Sequence, residues 1–270
     1  GSVTSPIDFG SGGGGNSPYA IGGAGGGAIR LTVTGVLQLD GRISAVGGSA
    51  VAANGGGGSG GTVSLTVGTI SGSGVISANG GMGSSLGGGG SGGRIAIVYG
   101  MYDFTGAVSA YGGGGYAWGA AGTIYNKVSN QSSGQVVVDN GGQTGTNTTW
   151  TPSGIMNVWV RNGAVVATPG SQTIGNLVIA SNGWVSVANQ ILTVTGNATI
   201  QAGGGIIADG TGSPGGSGPG AGGSVSTTSG LIGGGGGHGG YGAAGGAPVG
   251  YSANGGNVYG LVTAPDGVGS

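Results

Sequence analysis

The sequence predicts an all-β chain: a parallel β-solenoid with glycine-rich excursions packed as polyglycine II-like layers, and essentially no helix. Three observations predict it. Branched apolar residues dominate, with 27 Val and 17 Ile against 9 Leu, and branched side chains suit a pleated, half-buried surface. Charged helix formers are nearly absent, with one Lys (Lys127) and no Glu. Finally, one strand pattern recurs along the chain, and repeats that cannot bury an apolar face alone stack on one another to form a continuous core.

The repeats give the elements in order. "GGAIRLTVTGVLQLDGRISAVGG" from Gly26, "GGTVSLTVGTISGSGVISANGG" from Gly60 and "GGRIAIVYGMYDFTGAVSAYGG" from Gly92 align. A weaker fourth copy, "AGTIYNKVSNQSSGQVVVDNGG", starts at Ala121. Ile29, Val63, Ile95 and Ile124 hold one position, and Ala45, Ala78 and Ala110 another. Each unit opens on a strand of period two, as in Ile29, Leu31 and Val33 against Arg30, Thr32 and Thr34. A turn and a second short strand follow, as in Val75–Ala78, and then a glycine excursion.

The expected exit from each rung is built by Ala45, Ala78, Asn79, Gly80, Gly81 and Ala110. The small alanines let the chain leave the core, and the Asn-Gly-Gly step suits a positive φ. Apolar residues isolated in the excursions (Ile21, Met82, Leu86, Trp118, Ile232, Tyr241) read as plugs between ordered glycine layers rather than parts of mobile loops.

Three regions are expected within one continuous solenoid: a glycine-rich β-repeat region at 1–133, a strand-rich β-helix region at 134–210, and a glycine-rich region at 211–270. In the middle region, "GNLVIASNGWVSVANQILTVTGNATI" reads as successive parallel rungs. The ends echo each other: "GLVTAPDGVGS" from Gly260 agrees with "GSVTSPIDFGS" from Gly1 at six of eleven positions, 259 residues apart. The 270 residues therefore read as one period, plus a short overlap, of a longer tandem array.

Composition excludes several classes. Of 270 residues, 79 are Gly, and only 4% are charged. Disordered chains are polar and highly charged, which this one is not. The net charge of −1 and the lack of a basic run disfavour nucleic acid. No apolar stretch is long enough for a membrane helix. With no Cys there are no disulfides or thiolate metal sites.

"GGGGSGGTVSLTVGTISGSGVISANGG" and "GGGGSGGRIAIVY" resemble glycine-rich repeat segments of very large secreted or surface proteins of environmental bacteria, over about residues 10–128 and 196–270. Residues 134–210 resemble the β-helix passenger regions of filamentous-haemagglutinin and autotransporter type. The resemblance implies an extracellular or cell-surface location and structural or adhesive work.

No catalytic constellation is legible. Stretches fitting G-x-G-x-x-G lack the strand–loop–helix context that gives the motif meaning. His238 is the one histidine, and no second ligand or base lies near it in sequence. Asp8, Asp40, Asp103, Asp139, Asp209 and Asp266 are spread along the chain as turn formers, although stacking could bring Asp40 and Asp103 together. No enzyme activity, cofactor or metal is expected. The glycosylation-type triplets at Asn130, Asn147 and Asn197 are chance matches in a chain so rich in Asn, Ser and Thr.

The aromatics are the richer signal. Tyr99, Tyr102, Phe104, Tyr111, Tyr116, Trp118 and Tyr125 crowd one unit. They fill a wider core, or they form a surface that stacks on sugar rings or on a neighbouring subunit; Tyr99, Tyr102, Tyr111, Tyr116, Trp118 and Tyr125 are the candidate ligand or assembly surface. Trp150, Trp159 and Trp184 read as core or interface residues. The function expected is a structural repeat of an extracellular filament, stalk or surface fibre, with copies of the chain as its partners. An adhesin or carbohydrate-binding module acting on surface glycans is the alternative. An ice-binding face on Thr32, Thr34, Thr193 and Thr195 comes next, but Ala96, Val98 and Asn126 break its pattern.

Overall fold

The structure, a computed structural model, describes residues 1–15, 21–150, 154–246, 250–263, 265 and 267–269. Asp266 lies outside them. The described residues form strands and connections with no helix, and they divide into two compact units, Gly1–Ile207 and Ala208–Ser270.

The first unit begins as the repeats predict. Long strands β1 (Ala28–Gln38), β3 (Thr62–Gly72) and β5 (Arg94–Phe104) alternate with short strands β2 (Arg42–Ser44), β4 (Val75–Ser77) and β6 (Ala107–Ser109). β7 (Thr123–Val128) follows. The long strands pair in parallel, and the residues aligned in sequence, Ile29, Val63, Ile95 and Ile124, are register partners. β2, β4 and β6 pair in parallel as a second sheet. Val63, Leu65, Ile95, Ile97 and Ile124 from the first sheet and Ile76 from the second close one core.

The fourth repeat departs from expectation. Instead of supplying another short strand to the second sheet, β8 (Gln135–Asp139) turns back and pairs antiparallel with β7, placing Ile124 opposite Val137 and Tyr125 opposite Val136. Successive residues of a strand face opposite sides. Val137 therefore joins the core of Ile95 and Ile124, while Val136 and Val138 belong to a second core on the other face. That double burial is why the run Val136-Val137-Val138 shows no polar alternation.

From β8 the large sheet continues in parallel through β10 (Asn157–Arg161), β13 (Leu177–Ile179) and β16 (Ala198–Ile200). Flanking it are β9 (Thr148–Thr149), β11 (Val165–Ala167), β14 (Trp184–Ser186) and β17 (Gly205–Ile207), also parallel, and the pair β12 (Gln172–Ile174) with β15 (Leu192–Val194). Val158, Val160, Leu177 and Ile179 face Val166, Ile174 and Val185 across the second core.

The excursions are hydrogen-bonded with a period of three. Gly80 N donates to Tyr111 O and Gly83 N to Gly114 O, both at 2.8 Å. Gly47 and Ala50 donate likewise to Asn79 and Met82, and Gly57 and Gly60 to Gly88 and Ser91. Intervening residues donate elsewhere: Gly81 N reaches Gly58 O, and Gly90 N reaches Gly81 O. A Cβ on Gly81 would stand 1.9 Å from Gly48 O, and one on Gly113 2.0 Å from Gly81 O. Only a Cα–H fits there, in the geometry of a weak C–H···O contact.

The second unit has two antiparallel pairs, β18 (Ser224–Thr227) with β19 (Gly230–Gly233) and β20 (Gly245–Gly246) with β21 (Ser252–Ala253). The parallel pairing expected here is replaced by hairpin pairing, as Gly230 at φ 125° permits a tight return. Its glycine segments keep the period of three, with Gly234 and Gly237 donating to Gly223 and Gly220.

Candidate functional site

The aromatic candidates divide among three environments. At the far end of β5, Tyr99 and Tyr102 rings lie 5.0 Å apart, and Tyr102 meets Phe104 edge-on at 6.3 Å. Phe104 is buried in the first core, and Tyr99 packs against it. Tyr125 is only 6% exposed, on the opposite face within the second core. Tyr116 and Trp118 lie in the excursion after β6, where Tyr116 is 77% exposed and Trp118 37%. Tyr111 is half-buried against Gly141. The six residues therefore form no single stripe; Tyr116 has the most open ring of the set, and Trp118 is exposed to the same degree as Tyr102.

Burial raises the hydroxyl pKa of Tyr102, with a further push from Tyr99. Burial also raises Tyr111, where the nearby Asp139 charge adds to the rise and Arg161 opposes it. Tyr125 is raised by burial alone.

The exit residues have a physical role different from the one their φ angles were expected to give. Ala45, Ala78 and Ala110 are all buried, and the Ala253 of a further Ser-Ala-Asn-Gly-Gly copy is buried too. Asn79, Gly80 and Gly81, however, do not adopt the left-handed conformation. Gly80 and Gly81 are required by close approach: a Cβ on Gly80 would stand 2.0 Å from Gly90 O. Asn79 acts through its side chain, whose Oδ1 accepts from Tyr111 N on the next rung at 2.8 Å. Asn140 repeats the device with Gly112 N, and its Nδ2 donates to Gln143 O.

Two polar constellations were not legible from sequence. Asp139 is buried and accepts from Arg161 Nε at 2.6 Å, Asn162 Nδ2 at 3.1 Å and Gly141 N at 2.8 Å. The Arg161 guanidinium also lies 5.0 Å from the Trp159 ring centre. Asn157, Asn176 and Asn197 form a ladder: Asn157 Oδ1 accepts from Asn176 N, and Asn176 Oδ1 from Asn197 N. The signal available was Asn recurring at rung spacing.

Asp40 and Asp103 are not rung equivalents. Asp103 is in register with Ser71, whereas Asp40 accepts from Ser73 N and from Gln38 Nε2, contacts that hold its carboxyl below the ordinary value. His238 packs beside Tyr259, ring centres 4.7 Å apart. A polar groove of about 420 Å³ is lined by Asp8, Phe9, Arg94, Asn147 and Thr149 among others. Two more of its lining residues, Thr123 and Trp150, each bury a polar atom without a hydrogen-bond partner. On the sheet face, Thr32 and Thr66 are followed in register by Val98 and Lys127, so a threonine array does not continue. Among the described residues, no three His, Cys, Asp or Glu side chains group as a metal site, and no helix is long and apolar enough to cross a membrane.

No protein family, curated protein or solved structure matches the chain.

Proposed function

We propose that the chain is a structural repeat unit of an extracellular filament, stalk or surface fibre. On this reading each rung is one turn of a β-solenoid, and the excursions are polyglycine II-like layers beside it. The observation that carries it is the period of three in the excursion hydrogen bonds, Gly80 and Gly83 to Tyr111 and Gly114 above all. Three residues per turn is the repeat of an extended left-handed helix of this type. Mobile linkers would satisfy their backbone with water; these segments satisfy it with one another, from rung to rung. Such bonding resists extension along the stack, and the scarcity of Lys and Arg leaves few sites for basic-residue proteases. Partners on this reading are further copies of the chain, outside the cell or on its surface.

Electron microscopy of native material tests the proposal. Fibres with an axial repeat matching one copy support it; compact dispersed particles overturn it. The exposure of Tyr116 and Trp118 favours a second reading, a glycan-binding surface on the same scaffold, because flat aromatic rings stack on sugars.

A further inference from the structure

The two segments that echo each other in sequence differ in burial at their shared Val and Pro. In Gly1–Ser11, Val3 is 6% exposed and lies in the second core with Ala121, Tyr125 and Trp150. Pro6 is buried as well. The backbone of the segment is anchored: Asp8 O accepts from Thr62 Oγ1, Gly10 N donates to Gly26 O, Ser11 N donates to Ser59 Oγ, and Ser11 O accepts from Ser59 N. In the second segment, Val262 stands where Val3 does in the alignment, and Pro265 where Pro6 does. Val262 is 99% exposed, and Pro265 and Leu261 are exposed too.

A single exposed apolar residue is ordinary. A segment that matches a buried one at its Gly, Val, Thr, Pro, Gly and Ser positions, yet leaves its Val and Pro in water, carries more information. Four of its shared residues are ones the seat uses: Val3 fills the core, Pro6 is buried, and Gly10 and Ser11 make backbone anchors. At position 10 of the seat a side chain is impossible, since a Cβ there would stand 2.5 Å from Ser59 O, and the second segment has Gly269 at that place. Where the segments differ, the seated residues are Ser2, Ser5, Ile7, Asp8 and Phe9, all of them exposed. Both buried positions of the seat, Val3 and Pro6, are thus matched.

We propose that Gly260–Ser270 is the seating segment of a second copy of this chain. In a head-to-tail array with a step of 259 residues, it occupies on the next copy the place that Gly1–Ser11 occupies here. Seating exchanges the contacts the segment now makes within its own unit, Ser213 N to Gly269 O and Tyr259 OH to Val268 O. In return it buries Val262 and gains the anchors at Gly26, Ser59 and Thr62. The proposal rests on the tandem-copy reading of the preceding section and names the joint that reading requires.

The test is a two-copy chain in which residues 1–270 run directly into residues 12–270, so that Gly260–Ser270 is the only segment available to the second seat. The chain has no Cys, so Val262→Cys at the junction is a unique thiol. Its labelling rate is compared with that of Val262→Cys in the single chain, and with Val3→Cys as the seated reference. Protection tracks the population of the open form, so junctional labelling is expected to slow by about 100-fold or more, towards the Val3→Cys rate. Labelling at the single-chain rate overturns the proposal. So does a second copy whose Ser59 amide exchanges freely while that of the first copy is protected, because the segment then fails to replace Gly1–Ser11. Neither result depends on fibres: protected labelling without native fibres keeps the joint and removes the fibre, and fibres with unprotected labelling do the reverse.

Discussion

Val136 and Val137 are bonded neighbours that belong to different cores. Val136 packs with Val158 and Leu177 on one face of the large sheet; Val137 packs with Ile124 and Ile95 on the other. Adjacent residues normally couple when mutated, yet these side chains share no packing partner. Val136→Ala and Val137→Ala are each expected to cost about 2 kcal/mol. The double variant is expected to equal their sum within about 0.5 kcal/mol. Val136→Ala with Val158→Ala, whose side chains share one core, is expected to deviate from additivity. Denaturant melts of the three single and two double variants decide it.

The glycine segments are expected to be sensitive to a single methyl group only where backbones approach. Gly81→Ala puts a Cβ against the main-chain oxygen of Gly48, which cannot swing aside as a side chain can. A loss of about 3 kcal/mol is expected. Gly88 has nothing within 4 Å of its Cβ position, and Gly88→Ala is expected to stay within about 1 kcal/mol of the parent. Equal thermal midpoints for the two variants would contradict the packed-layer account.

Arg161→Ala leaves the Asp139 carboxylate buried with Asn162 and Gly141 as its remaining donors. Breaking a buried pair from one side costs about 3 kcal/mol, an upper figure here because Arg161 itself is partly exposed. Since Asp139 is shielded from solvent, the loss is expected to change little between low and high salt, as equilibrium unfolding at two ionic strengths would report.

Alkaline pH is expected to weaken the first unit. Tyr102, Tyr111 and Tyr125 have folded-state pKa values raised above the ordinary 10.0. The folded state therefore holds these protons longer than the unfolded state does, and stability falls with pH once the unfolded tyrosines begin to ionise. The contribution is complete below about pH 10 and is lost as pH rises through the raised values. Replacing all three with Phe is expected to flatten the decline between neutral pH and pH 11 in circular-dichroism melts.

On the glycan-binding reading, Tyr116→Ala and Trp118→Ala abolish binding on a glycan array and leave the melting temperature within a few degrees of the parent. Tyr125→Ala, by contrast, is expected to destabilise the second core by about 3 kcal/mol or more. Unchanged glycan binding in the Tyr116 and Trp118 variants removes that surface from consideration.

Much of the first unit was legible because its register is written in the spacing of Ile29, Val63, Ile95 and Ile124, and its rung exits in Ala45, Ala78 and Ala110. The reversal at β8 was not. The fourth repeat keeps the opening strand of the others, and what marks it, the unbroken Val136–Val138 run, signals burial on both faces without saying how the strand points. For the exit glycines the sequence suggested φ, whereas Gly80 and Gly81 answer to the backbone oxygens of Gly90 and Gly48. Asp139 with Arg161 and the Asn157–Asn176–Asn197 ladder depend on which residues stack, and rung length changes after β8, so the spacing of the earlier repeats does not find them.

The β7–β8 reversal has one more consequence. Strand direction and core side invert together there, and two such inversions amount to a half-turn about the stacking axis. A half-turn conserves chirality, so on the proposed solenoid reading the winding sense would be the same before and after the junction. What changes is position: the two columns stand on opposite sides of a shared wall. Sheets pack about 10 Å apart, so the two cores are offset from one another by about that distance across the shared sheet.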